Sequence, residues 1–120
     1  MQLMTKPILQ KLLQNGANRD MDHAPVVKYF TPDASATWLI SEVDPEDQDL
    51  LFGLCDLGLG FPELGYVRLS EIESIRGKLG LKVERDRYWE GKHPMSVYSE
   101  AARSASRIVS DPPVAHEKAR

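Results

Sequence analysis

The second half of the chain carries side chains of the kinds used in acid–base and anion-binding chemistry. Glu63 and Tyr66 follow the turn residue Pro62, Glu71, Glu73 and Arg76 recur at short helical spacing, and Glu84-Arg85-Asp86-Arg87 form one charged run. Paired carboxylates can act as general acid and base, and an arginine fork can hold an anion through two parallel hydrogen bonds. Glu63, Tyr66, Arg76, Glu84, Arg85 and Asp86 are therefore the candidate binding residues. The same side chains also have structural duties. Glu73 fits a capping box begun by Ser70, Arg76 sits where a cation complements a helix dipole, and alternating charges on a strand pair across a sheet. No residue is singled out as catalytic.

Other arrangements that would do chemistry are incomplete. Gly60-Phe61-Pro62-Glu63-Leu64-Gly65 has the glycine spacing of a phosphate loop, but Tyr66 and Val67 stand where Lys and Ser or Thr would contact phosphate and magnesium. Gly58 and Gly60 begin a dinucleotide-like pattern that Pro62 interrupts. The acidic turn Asp44 to Asp49 lacks the glycine of a calcium loop, and Cys55 takes the place of its bidentate glutamate. His23, His93 and His116 are too dispersed for metal-ligand spacing, so neither a metal nor a cofactor is implied. Cys55 has no neighbouring base and reads as a buried, inert thiol.

The elements that must position these residues follow from hydrophobic period and turn chemistry. Thr5 as N-cap, Pro7 in the first turn and Ile8, Leu9, Leu12 and Leu13 on one face predict a helix that Gly16 ends. Strands follow at Val26–Thr31 and Ala36–Val43, and the doubly apolar run Leu50–Leu57 predicts a central strand. Trp38, Tyr29 and Phe30 are assigned to the core. Pro62 and Gly65 reverse the chain so that Tyr66–Leu69 lies beside the third strand. A short helix then starts at Ser70, with Ile72, Ile75 and Leu79 at helical spacing and Gly77 as a left-handed C-cap. Leu81–Trp89 is expected as a last strand, Pro94–Ala102 as a helix, and the remainder as a tail-like, mobile extension.

These elements predict one small α+β domain over residues 1–98, a mainly antiparallel sheet of about five strands with an N-terminal helix, a short helix after the fourth strand and a C-terminal helix. Residues 99–120 form an extension. The chain of 120 residues is long enough for one core, and 42% hydrophobic with 28% charged residues places it in the globular class. Apolar runs such as Trp38-Leu39-Ile40 fall far short of the roughly 20 residues that cross a bilayer. The amino terminus reads as a helix and not a signal peptide, so no membrane association and a cytoplasmic location are expected.

Net charge is −3, unevenly spread: residues 29–67 contain eight acids and no Lys or Arg, while both ends are mildly basic. If the acidic strands pair with the later basic segment, the asymmetry cancels; otherwise it offers a surface to a cationic partner. The bases after Arg68 are interleaved with acids, so nucleic-acid binding is not supported.

The blocks KYFTPD, TWLISEVDPED, FGL, ELGYVRLSEIESIRG, GLKVERDRYW and HPMS, in that order, resemble a bacterial domain-of-unknown-function family, number 2958. The resemblance spans about residues 1–98 and leaves Ser99–Arg120 as an extension private to this chain. It implies an accessory gene of plasmids and integrative elements. Such a family defines no catalytic residues, so none is carried over.

The expected function is a non-enzymatic accessory or interaction module that binds a protein partner. The alternatives are a small hydrolase or ligand-binding protein using a pocket built from Glu63, Tyr66, Glu84, Arg85 and Asp86, and a nucleic-acid-binding protein. Clustering of those five residues around one concavity separates the first alternative from the leading reading.

Overall fold

A computed structural model describes residues 2–113. Helix α1 spans Lys6–Gly16; the Thr5 hydroxyl accepts a 3.4 Å hydrogen bond from the Ile8 amide and Pro7 lies in the first turn. Leu12 is fully buried, and Ile8, Leu9 and Leu13 pack around it. Gly16 belongs to the helix, which is capped by Ala17. The glycine is needed for packing, because a Cβ there would stand 1.9 Å from the Val43 carbonyl oxygen.

Five strands follow: β1 Val27–Phe30, β2 Thr37–Asp44, β3 Asp47–Asp56, β4 Glu63–Arg68 and β5 Glu84–Arg85. They form one sheet in the order β4-β3-β2-β1-β5, antiparallel at every pairing. As expected, the fold is α+β, and the doubly apolar run lies in an interior strand, β3. Helix α2 spans Leu69–Ser74 and α3 spans Met95–Ala105.

Side chains alternate across the sheet, so the apolar residues of β2 and β3 feed two cores. Trp38, Ile40, Val43 and Leu51 join Tyr29 beneath α1 and α2, which contribute Leu12 and Ile72. Leu39 and Leu54 face the opposite way, against Met95, Tyr98 and Ala102 of α3 and against Ile108. Three layers result: α1 with α2, the sheet, and α3.

A bulge joins the first two layers. The β2–β3 register shifts between Ile40 and Glu42, so Ser41 has no partner on β3. Its buried carbonyl instead accepts a 2.9 Å hydrogen bond from the Asn15 side-chain amide of α1.

Three local expectations are corrected by the structure. The capping interaction of α2 is made by the Arg68 amide donating to Glu71 Oε1 at 3.2 Å, not by Ser70 and Glu73. Ser70 is engaged elsewhere: its amide and hydroxyl donate to Asp49 at 2.9 and 2.7 Å. The helix stops at Ser74, Ile75 is already extended, and Gly80, not Gly77, has the left-handed backbone, with φ 82°. Gly77 is required because a Cβ would lie 1.6 Å from Asp33 Oδ1, and Asp33 Oδ2 accepts from the Leu79 and Leu81 amides. The strand expected over Leu81–Trp89 shrinks to Glu84–Arg85, since Asp86 Oδ1 accepts from the Tyr88 and Trp89 amides and turns the chain.

The boundary expected at residue 98 falls inside α3, where Tyr98 and Ala102 are both buried. Beyond the left-handed cap at Ser106, the Ile108 amide donates to buried Asp56 at 2.9 Å, and Ser110 accepts from the Trp89 indole and the Lys28 ammonium. Residues 99–110 are thus packed onto the sheet. The extension's last stretch, 114–120, lies outside the described residues.

Replacing Asn15 with Ala leaves the Ser41 carbonyl buried without its donor. We expect a loss of about 1–3 kcal/mol in unfolding free energy by urea titration; an unchanged midpoint would show that the bridge contributes nothing.

Candidate interaction surface

The turn from β3 to β4, Leu57-Gly58-Leu59-Gly60-Phe61-Pro62, is shaped by its two glycines, which have φ 82° and 90°. The Gly58 amide donates to Asp56 Oδ1 at 2.9 Å, anchoring the loop at its root. This geometry leaves Leu57 outside the core and Leu59 and Phe61 74% and 79% exposed.

The apolar surface continues onto β4. Among the described residues this strand is an edge, hydrogen-bonded on one side only, to β3. Leu64 opposes Leu54 and Tyr66 opposes Phe52, so both point to the α3 side of the sheet, where they remain 45% and 54% exposed. Tyr66 meets Phe52 edge to face at 5.2 Å, and its hydroxyl accepts a hydrogen bond from Arg19. A groove of about 620 Å³ separates Phe61, Pro62 and Leu64 from Ser99, Arg103 and Ser106 of the α3 region. Glu63 stands at its rim.

The structure does not gather the six sequence-predicted residues into one site. Glu63 and Tyr66 lie on β4, whereas Glu84 and Arg85 form β5, at the other end of the five-strand order. Four strand spacings separate those edges, about 19 Å. Glu84 and Arg85 oppose Phe30 and Tyr29, and Arg85 Nε donates to the Gln2 carbonyl at 3.1 Å. Asp86, besides its turn bonds, lies 3.7 Å from the Lys28 ammonium. Arg76 donates to the Glu73 and Ile75 carbonyls, the C-terminal complement expected of it. The pocket built from Glu63, Tyr66, Glu84, Arg85 and Asp86 is therefore not formed, because the meander sends its two contributing segments to opposite edges.

Sequence reasoning missed Leu57, Leu59 and Phe61: it placed Leu57 at the end of the central strand and the other two only inside failed glycine motifs. Their signal was the alternation of apolar residues with glycine inside a turn, where no core can take them. It also missed the row behind Tyr66: Glu42 opposes Phe52, which opposes Tyr66, so the three share a face. Burial raises the Glu42 carboxyl above its ordinary value, with His23 and Arg19 partly opposing the shift.

Among the described residues, no group of three or more His, Cys, Asp or Glu is placed to hold a metal ion. Burial pushes the Cys55 thiol up to about 11, which keeps it protonated and unreactive near neutrality. No helix among the described residues is long and apolar enough to cross a membrane.

A family model described as "Protein of unknown function (DUF2958)" matches residues 3–109. The chain belongs to this family. No curated protein and no solved structure matches it. The DUF2958 match takes in the whole of α3 and the Ile108 anchor, extending past the span over which the sequence blocks were recognised.

Two outcomes are expected from this surface. Replacing Leu59 and Phe61 together with Ser should reduce binding of the dye ANS while changing unfolding free energy by no more than about 0.5 kcal/mol, as for surface positions; a large destabilisation would place them in the core. Glu42 titrates higher folded than unfolded, so its stabilising contribution is present below the unfolded value and is lost as pH rises through the folded one. Glu42→Gln should accordingly raise the melting temperature at pH 7 and change it little at pH 4; an equal shift at both would refute this assignment.

Proposed function

We propose that this DUF2958 protein is a non-enzymatic interaction module that docks a protein partner on the β3–β4 hairpin. One observation carries the reading. The largest exposed apolar side chains of the hairpin, Leu57, Leu59, Phe61, Leu64 and Tyr66, are contiguous with an unpaired strand edge. An open edge supplies main-chain hydrogen bonds to an incoming strand, and flanking apolar side chains supply the area that drives association.

The charged residues favour the same reading. Asp33, Asp49, Asp56 and Asp86 each accept backbone amides that close loops, so these carboxylates are engaged in holding the fold. An accessory role for a mobile genetic element, in the bacterial cytoplasm, rests on the family resemblance.

The test is a photo-crosslinking amino acid placed at Phe61 and, separately, at Tyr88, which is exposed near the opposite edge. In extract of the native host, the Phe61 probe is expected to form protein adducts that the Tyr88 probe does not. Equal labelling from both, or none from either, would remove the docking surface.

A further inference from the structure

We propose that the occupant of this surface is a second copy of the chain, joined β4 to β4 in antiparallel register about a two-fold axis through Gly65, so that two five-stranded sheets become one. This inference rests on the docking reading above and specifies its partner.

The two sheet edges differ in what they offer. β5 is two residues long, and the chain turns away at Asp86. A six-residue edge without an internal proline or bulge, as β4 is, lacks two of the usual devices that block strand addition, and its charged residues, Glu63 and Arg68, stand at its two ends. Its central residue, Gly65, has nothing within 4 Å of where a Cβ would lie, so a side chain introduced there has room.

Symmetry restricts the register. Strands related by a two-fold axis must stay in one sheet with faces preserved, so the axis is normal to the sheet and each residue pairs with one of its own face. On β4 this allows centring on Gly65 or on Tyr66. Centring on Tyr66 sets Leu64 against the charged Arg68 of the other copy. Centring on Gly65 sets Leu64 against the partner's Tyr66 and Tyr66 against the partner's Leu64, a cluster of four apolar side chains on the face that already holds both copies of Phe52. Such aromatic–aliphatic cross-strand pairs are favourable. In this register Glu63 faces Val67 and Arg68 faces Pro62, so no like charges oppose. Pro62 has no amide hydrogen, and it ends the ladder where the exposed loop begins. Leu59 and Phe61 of each copy then flank the join.

The experiment is sedimentation equilibrium of the full chain from micromolar to millimolar concentration, with two variants. The wild type is expected at about twice the 13.5 kDa chain mass. Leu64→Lys should weaken the dimer at least about a hundredfold by burying two unpaired charges, whereas Leu81→Lys, away from β4, should leave it intact. Gly65→Cys provides a register-specific readout that does not depend on the first variant's folding. Directly opposed residues of an antiparallel pair have Cα atoms about 4.5–5.5 Å apart, within the span of a disulfide. Mild oxidation should therefore link Gly65→Cys chains into covalent dimers, and Leu81→Cys chains should stay single. A wild type that is monomeric throughout, a dimer indifferent to Leu64→Lys, or failure of Gly65→Cys to cross-link would overturn the proposal. If the chain is monomeric while the Phe61 probe still labels another protein, the second copy is excluded and the docking surface stands; if that probe labels nothing, both fall.

Discussion

The structure depends on one mismatch: β2 and β3 are apolar on both faces, while the helices that can cover them are unequally divided. Trp38, Ile40, Val43 and Leu51 require cover on one face, and Leu39 and Leu54 require it on the other. α1 and α2 together serve the first. Among the described residues the second has only α3 as a helix, eleven residues or about 16 Å long. A helix about 10 Å wide spans roughly two strand spacings of 4.8 Å. Seated over Leu39 and Leu54, α3 leaves β4 outside its shadow. The exposure of Leu64 and Tyr66 is thus a consequence of how five strands and three helices are apportioned.

The acidic middle of the chain has a related explanation. Loops that connect three layers leave backbone amides without partners, and carboxylates from other segments supply acceptors. Asp33 closes the loop after α2, Asp56 holds Ile108, and Asp22 accepts from the Ser96 amide at the start of α3, a helix whose own N-cap, Pro94, makes no side-chain bond. Asp49 receives both donors of Ser70, which hold its carboxyl below the usual range. Arg68 adds ion pairs to Asp47 and Asp49. At that exposed position such pairs add little stability, but they orient the entry to α2. Asp33, Asp47, Asp49 and Asp56 of the acidic stretch are engaged in this way.

The two sheet edges show how local chemistry controls association. Asp86 and its turn shorten β5, which hides that edge by giving it little length. Nothing comparable shortens β4, and the glycines before it project leucine and phenylalanine outward instead of folding them inward. A solvated apolar tip next to an open ladder is costly to a monomer and useful to a complex.

Features governed by neighbours in sequence were legible in the sequence itself. Thr5 caps α1, β1 and β2 fall within a residue of where alternation and turns put them, and Arg76 meets the carbonyls at the end of α2, because capping, period-two burial and turn preference act over a few residues; β3 and β4 each begin three residues earlier than expected, and Gly65, expected to reverse the chain, pairs with Gly53 inside the ladder. Two of the failures depended on distant partners, Ser70 being claimed by Asp49 and Gly77 by the Asp33 carboxylate, whereas the expected last strand was cut short by a local turn in which Asp86 accepts from amides two and three residues on. Of the six residues named from the sequence, Glu63 and Tyr66 lie on the exposed edge, while Glu84, Arg85 and Asp86 lie across the sheet from them. The sequence by itself determined which segments become strands and helices and which of their faces are apolar. Only the tertiary structure decided the strand order, and with it which edge stays open, because a single short helix cannot cover one whole face of a five-stranded sheet.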